Sequence, residues 1–581
     1  MEQKTGSYRP STAPFRARVM GHTHAVAAGH YLAAQAAFQV LEAGGNAIDA
    51  GVAGGIALGV VQSEYVGFGG VAPIMVRIAE TGQTWTFAGV GHWPAATDVE
   101  LFRTKYEGRI PRGILRTVIP AAPASWIAAL ARFGTMTYGE VASAALRFAR
   151  DGFPMPGLMH HIINDAADEY RNYETNAAIY LPGGRVPPVG ERFVQSDLAN
   201  SIQYMIDEEK KALARGDRLA GLKAARDAFY RGDIAAKMVQ YHKENGGWLA
   251  MSDLEEYDVD CEQVSPIKFG EMDVYTCGPW CQGPILAQTM GMLDNFDLGS
   301  LGHNSPEYIH LITEALKLSY ADRQAYVGDP KFVDVPYKQM LDPAYLKDRI
   351  RNISMERAAP GMPLPGDPRG FVPPMPDPAK PEDDIEHIDT SYICAVDRHG
   401  NAFSATPSDG SSTSPIIPGL GFVASSRGVQ SWTEADAPAV VGPGRRPRLT
   451  PNPVIVHHPD HFVQPIGSPG NDVQPQAMLQ VLLNIHVFGM TPQEAVEAPR
   501  FATFSYPRSS APHSYDPGMM KLEARIDPSV ASRLKELGHD VRDWPEWEWT
   551  AGAVCTILAD KSKGVLEGAS DPRRPTAALA C

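Results

Sequence analysis

The sequence predicts a mixed α/β chain of stacked layers, with sheets inside and helices outside. Three observations predict it. Helical patterns recur from Tyr31 to Tyr326, strand hairpins take over after Thr390, and a proline-rich stretch, residues 359–384, separates the two regimes.

Tyr31–Ala43 reads as a helix of small residues, stopped by Gly44-Gly45, and a second apolar helix follows Asn46. Gly67-Phe68-Gly69-Gly70 leads into a strand over Ala72–Ile78. Trp126–Phe133, Tyr138–Ala149 and Leu219–Tyr241 read as helices, Thr276–Gly283 as a loop, and Ser305–Tyr326 as an amphipathic helix. Residues 359–384, with Pro-Gly-Met-Pro-Leu-Pro-Gly-Asp-Pro near their start, suit neither helix nor sheet and predict a mobile linker. Ser391–Asp397 alternates, turns at Arg398-His399-Gly400-Asn401, and returns over Ala402–Thr406. Pro453–His457 and Phe462–Ile466 give a second hairpin, and helices resume at Val473–Val487 and Pro492–Ala498.

The chain has 581 residues, 44% hydrophobic and 20% charged, with net charge −15. That is ordinary globular composition, and an acidic surface repels phosphate backbones, so no nucleic-acid partner is expected. Six separated cysteines without metal-type spacing predict free, packed thiols of a reducing compartment. Residues 1–18 lack the apolar segment of a secretory signal, and no run of eighteen apolar residues occurs, so a cytoplasmic protein without membrane association is expected. His457, His458 and His461 read as solvated turn histidines, the adjacent His160 and His161 as structural, and the tryptophan-rich stretch Asp543–Trp549 as a loop or a pocket lining. No motif calls for a metal or cofactor, and none is expected.

Thr390 carries the sharpest functional signal. It stands where the proline-rich stretch has ended and a buried strand begins, in Glu386-His387-Ile388-Asp389-Thr390-Ser391-Tyr392. Cutting the bond before it would give one residue both a hydroxyl and a free α-amine, the amine acting as base for the hydroxyl. That points to an autocatalytically processed amidase. A plain interdomain linker ahead of an ordinary strand is the competing reading.

Order and coverage of many short motifs carry a resemblance. They include Glu42–Ala50, Gly67–Gly70, Arg147–Phe153, Phe229–Gly232, Glu314–Arg323, Gly328–Pro330, Asp389-Thr390, Ala395–Ala402, Gly467–Gly470 and Ala498–Phe501. Together they resemble the γ-glutamyltransferase family of N-terminal-nucleophile hydrolases. The resemblance implies a four-layer αββα sandwich and self-cleavage at Asp389–Thr390. It gives a large subunit 1–389, with a flexible proline-rich end at about 359–389, and a small subunit 390–581. The two would form one compact unit, and a dimer of such heterodimers is compatible with it. Thr390 would be nucleophile and base, Ser408 its hydrogen-bonding partner, and the backbone N–H groups of Gly470 and Asn471 the oxyanion donors.

The departures bear on substrate. The arginine that holds the glutamyl carboxylate in glutathione-processing members has no counterpart in Gly89-Val90-Gly91-His92-Trp93-Pro94. The clamp aspartate aligns near Gln430, a glutamine near Arg427, an asparagine with Gly410, and two serines near Leu449 and Thr450. Desolvating a zwitterionic head without those partners costs several kcal/mol, on the order expected for unpaired buried charge. The sequence therefore favours a small-molecule amide other than a γ-glutamyl compound, with Gly410, Arg427, Gln430, Thr450 and His92 lining the pocket. The acylase and oxamate amidohydrolase branches are the better analogy. A true γ-glutamyltransferase and an uncleaved, non-catalytic relative remain the alternatives.

Overall fold

The computed structural model describes residues 15–373 and 389–581. Two seven-stranded sheets lie face to face. The first runs Ala577–Ala580, Ala25–Ala28, Ile393–Val396, Ala402–Ala405, Ile74–Arg77, Thr84–Phe87, Cys261–Gln263. The second runs Val19–Gly21, Val565–Ser570, Cys555–Asp560, Phe462–Gly467, Val454–His458, Met272–Thr276, Ile267–Phe269. Every neighbouring pair in both is antiparallel.

Side-chain alternation along the strands builds the layers. Ile393 and Ala395 join one core with the helices Tyr31–Glu42, Ala47–Val61, Ala122–Phe133 and Tyr138–Asp151. Cys394 and Val396 point the other way, into a core shared with Ile455, Val463 and Ile557 of the second sheet. The far face of that sheet, through Val454, Val456 and Ile466, packs on Gly283–Leu293, Pro306–Tyr326 and Gln474–His486. The result is the αββα sandwich. Central strands are apolar on both faces because both faces are covered.

Local chemistry sets the element ends. Asn46 caps Ala47–Val61 by accepting from the N–H groups of Ile48 and Asp49 at 2.9 and 3.0 Å, and Asp49 reciprocates on Asn46 N at 2.9 Å. The same helix packs closely on the first sheet because Gly51 has no side chain. A Cβ there would lie 2.0 Å from the Phe403 ring.

Three expectations change. Leu219–Tyr241 is two helices, Arg218–Tyr230 and Asp233–Glu244, broken where Gly232 passes too close to Ala228 O and Tyr204 for any Cβ. Pro306–Tyr326 is not amphipathic, being buried on every face from Tyr308 onward, between Gly283–Leu293 and the strands beyond. Residues 359–373 form neither helix nor strand, yet they are strapped to the body rather than mobile. Ala359 N donates to Glu314 Oε2 at 3.0 Å and Gly366 N to Asp322 Oδ1 at 2.8 Å, and Tyr326 donates to Gly366 O at 2.7 Å. Residues 374–388 of the predicted linker lie outside the described residues. The six cysteines are unpaired, as predicted. Among the described residues no helix is long and apolar enough to cross a membrane.

Candidate active site

Thr390 lies fully buried just ahead of the strand Ile393–Val396, bridged to Ser408 across an antiparallel pair. The hydroxyls of the two residues are hydrogen-bonded at 2.9 Å. Ser408 donates its own proton to the carbonyl oxygen of Asp389 at 2.6 Å. Arg427 Nη2 donates to the same carbonyl at 3.3 Å and also to Ser408 Oγ. The carbonyl of the bond between Asp389 and Thr390 therefore sits in a cradle of two donors, one of them cationic.

The Gln474 amide borders Thr390 from the start of the next helix. Its neighbours assign its NH2 to the carbonyls of Ser468 and Thr450, at 3.3 and 3.2 Å, and its oxygen to the Thr390 hydroxyl at 3.2 Å. With the Ser408 proton on the Asp389 carbonyl, the Thr390 proton has two acceptors, Ser408 Oγ and Gln474 Oε1.

The Asp389 side chain points elsewhere. Its Oδ1 accepts from Thr390 N at 2.8 Å and from Gly470 N at 3.1 Å, and its Oδ2 from Arg574 Nη2 at 2.6 Å. Gly470 has φ of 115°, a left-handed conformation that suits glycine and turns its N–H toward the site. The turn after it, Asn471–Val473, is anchored from behind by the Arg323–Asp472 ion pair at 2.6 Å. Arg323 also donates to Ser509 Oγ at 3.0 Å and Pro507 O at 2.6 Å, which accounts for the Ala321-Asp322-Arg323 motif.

Charge around Thr390 is dense and dry. Burial chiefly, with the Asp389 charge adding to it and Arg574 opposing it, pushes the Glu64 carboxyl up to about 8. Burial also raises the Asp409 carboxyl, against the pull of Arg427 and hydrogen bonds from Ser425 and Ser426. Burial lowers Arg427, and Asp409 is the larger of the charges that restore it.

Of the residues expected in the site, Asp389, Thr390, Ser408, Arg427 and Gly470 come together, with Asn471 following in the same turn. Gly410 is buried next to Asp409, below Glu64. Gln430 and Thr450 bind each other, Nε2 to Oγ1 at 2.9 Å and Thr450 N to Oε1 at 3.2 Å, so the Gln430 amide is occupied. His92 is displaced from the cluster: its contacts run to Trp93 O at 3.2 Å and the Tyr257 ring. Trp93 is the residue that matters there. It packs on Gly428, where a Cβ would lie 2.5 Å from its ring, and so supports the turn that carries Arg427. Gln474, Glu64, Tyr65 and Arg574 were not foreseen. Arg574 stands in the charged run Asp571-Pro572-Arg573-Arg574, which carries no local signal for a buried site.

Two polar clusters among the described residues have metal-like composition, His24/Glu42/Cys581 and His310/Glu314/His539. Lys317 occupies Glu314 in the second at 2.7 Å, and the two histidines are hydrogen-bonded to each other at 2.8 Å, which leaves His539 Nδ1 without a hydrogen bond. His457, His458 and His461 are in neither cluster. His457 is buried rather than solvated, with Nε2 3.3 Å from Arg77 Nη2, and burial lowers it to about 4.

Two antiparallel sheets between helical layers are the architecture of the N-terminal-nucleophile hydrolases. The chain belongs to the gamma-glutamyltranspeptidase family, whose model matches residues 33–581. It is 30% identical to the acylase ACY 1 proenzyme of Pseudomonas sp. (strain SE83) over 94% of this chain and 91% of that one. It is 28% identical to the glutathione hydrolase-like YwrD proenzyme of Bacillus subtilis (strain 168), over 97% and 99%. The crystal structure of cephalosporin acylase from Bacillus halodurans superposes with a TM-score of 0.84 at 25% identity, covering 99% of both chains.

Proposed function

We propose that this chain is a precursor that cuts itself between Asp389 and Thr390, and that Thr390 then hydrolyses a small non-γ-glutamyl amide. The observation that carries the reading is the Ser408 hydroxyl, 2.9 Å from Thr390 Oγ1 and 2.6 Å from the carbonyl oxygen to be attacked. In self-cleavage the bond from Thr390 Oγ1 to the Asp389 carbonyl carbon forms and the C–N bond breaks. The hydroxyl proton ends on the Thr390 nitrogen. Ser408 and Arg427 face the oxygen on which charge develops. Water then hydrolyses the ester, giving a carboxyl at 389 and a free α-amine at 390.

The products, 1–389 and 390–581, would stay together as large and small subunits. Ile393–Val396 pairs with Ala25–Ala28 on one side, and Ala402–Ala405 pairs with Ile74–Arg77. In the mature site the Thr390 amine serves its own hydroxyl as base. With Asp389 gone, the Gly470 N–H is available to a substrate oxyanion. The occupied Gln430 amide and the absence of an arginine from Gly89–Pro94 argue against a glutamyl clamp. The acylase relatives fit that reading.

Denaturing intact mass tests it. The wild type should give two fragments of roughly 42 and 21 kDa, shared by residue number, from the 63.0 kDa chain, with threonine at the new N-terminus. Thr390→Ala should remain one chain. An uncut wild type would overturn the proposal, and rapid turnover of a γ-glutamyl anilide would overturn its substrate half.

A further inference from the structure

Adjacent arginines near the C-terminus have different fates. Arg573 is saturated by Glu523 and Asp571, at 2.6 and 3.1 Å. Arg574 faces the opposite way, and among the described residues Asp389 is its one carboxylate partner within ion-pair distance. Its Nε donates to Trp549 O at 3.1 Å. The rings of Trp549 and Tyr65 lie 5.2 and 5.8 Å from the guanidinium carbon. Nη1 is buried beside Tyr65 and makes no hydrogen bond of acceptable geometry, while the Tyr65 hydroxyl accepts from Gln62 Nε2 at 2.6 Å. Arg574 is thus a fixed fork with one arm on Asp389 and the other against the Tyr65 hydroxyl.

Asp389 is itself an acyl group at this site. Its carbonyl is the one Thr390 would attack, and its carboxylate, two carbons further on, is the group Arg574 holds. The ester formed in self-cleavage is then the first acyl-enzyme, with a β-carboxylate seated on Arg574. When residue 389 leaves, that arginine loses its counter-charge. An uncompensated buried cation is costly, so the mature site is prepared for an anion of the same placement. Among the described residues Glu64 makes no ion pair with Arg574, and its Oε2 makes no hydrogen bond. Arg427 is a weaker candidate, since the buried Asp409 stays with it after cleavage.

We propose that Arg574 selects the substrate, and that the mature enzyme takes amides whose acyl group bears a carboxylate two carbons from the scissile carbonyl, as in a succinyl group. This rests on the self-cleaving amidase reading. The step balances as amide hydrolysis. The acyl carbon passes from nitrogen to Thr390 Oγ1, and the hydroxyl proton leaves with the amine by way of the Thr390 amine. Water then releases the dicarboxylic acid and restores the hydroxyl.

The test compares N-succinyl-4-nitroanilide with N-butyryl-4-nitroanilide, which lacks the carboxylate, on the self-cleaved full protein. Direct succinate and butyrate binding by calorimetry is the second readout. The succinyl anilide should win by about 10²-fold or more in kcat/KM, as for a site built around a polar group its competitor lacks. Succinate should bind and butyrate should not. Arg574→Met is made together with Asp389→Asn, so that the precursor holds no orphaned carboxylate. It should reduce the preference to under about tenfold and abolish succinate binding. Arg574→Lys, which keeps the cation, should retain part of the preference. The proposal is overturned if the cleaved wild type shows no succinyl preference and binds no succinate, or if both survive loss of Arg574. If the cleaved wild type turns over neither anilide, succinate binding alone decides. A wild type that never cleaves is a different failure, that of the amidase reading.

Discussion

The Ser408 hydroxyl donates 2.6 Å to the carbonyl oxygen of Asp389 while hydrogen-bonded at 2.9 Å to Thr390 Oγ1. One short side chain therefore touches both the attacking atom and the atom on which charge would accumulate. Arg427 adds a cation on the same oxygen at 3.3 Å. The carboxylate of Asp389 is drawn away from this cradle by Arg574, so the unbroken chain presents its carbonyl to Thr390 and its charge to the opposite wall.

Removing the Ser408 hydroxyl should slow self-cleavage far more than it harms folding. Loss of one oxyanion donor costs about 10²- to 10³-fold in rate. Ser408→Ala should thus accumulate as the uncut chain, its cleavage followed over hours to days by intact mass. Ser408→Thr, which keeps the hydroxyl, should cut at a rate within about tenfold of wild type. Equal cleavage rates for Ala and wild type would remove Ser408 from the mechanism.

The close seat of Ala47–Val61 on the first sheet predicts a strict size limit at Gly51. Alanine gains about 1 kcal/mol of helix propensity over glycine. The new methyl would lie 2.0 Å from Phe403, itself fixed between strands, and overpacking of this kind costs about 1–3 kcal/mol. The clash should win, so Gly51→Ala lowers the urea midpoint at unchanged slope. A raised midpoint would show that the sheet can yield.

Much of this fold is legible in the sequence because most elements carry their own signals. Asn46 announces a helix start, and the strand that begins after Thr390 reads as a buried one. The site is less so. Thr390, Ser408 and Gly470 stand at the ends of recognisable elements, whereas Arg574 is recognisable only through partners far away in sequence. Its neighbours Asp571 and Arg573 would ordinarily be read as a solvated charged run, and they are buried only because Arg500 and Glu523 meet them. The packing of Trp93 against Gly428 depends on tertiary contacts that no local pattern encodes.

Glu64 should make the uncut protein sensitive to alkali. Its carboxyl is raised from 4.5 to about 8 in the fold, chiefly by burial. Between those values the folded state holds a proton that the unfolded state has released, so stability falls as pH rises through the window. Below 4.5 the contribution is fully present, and above about 8 it is gone. In the Thr390→Ala background, Glu64→Gln should be near neutral at pH 4.5 and relatively stabilising at pH 9, by on the order of a few kcal/mol. Chemical denaturation at the two pH values measures it, and a pH-independent difference would refute a buried neutral Glu64.

Arg323 links the long buried helix to the turn that presents Gly470. Its partners Asp472, Ser509 and Pro507 lie at 2.6–3.0 Å, and Asp472 also accepts from Ser509 N at 2.9 Å. Arg323→Met keeps much of the volume but leaves Asp472 buried without its cation, which costs about 3–5 kcal/mol. The turn Asn471–Val473 should loosen, and with it the Gly470 N–H now on Asp389. Expected outcomes are a lower denaturation midpoint and slower appearance of the two fragments. Asp472→Asn added to Arg323→Met removes the orphaned charge and should restore part of the stability while leaving cleavage slow. If the double variant cleaves at the wild-type rate, the turn does not depend on this pair, and Gly470 is held in place by its own backbone alone.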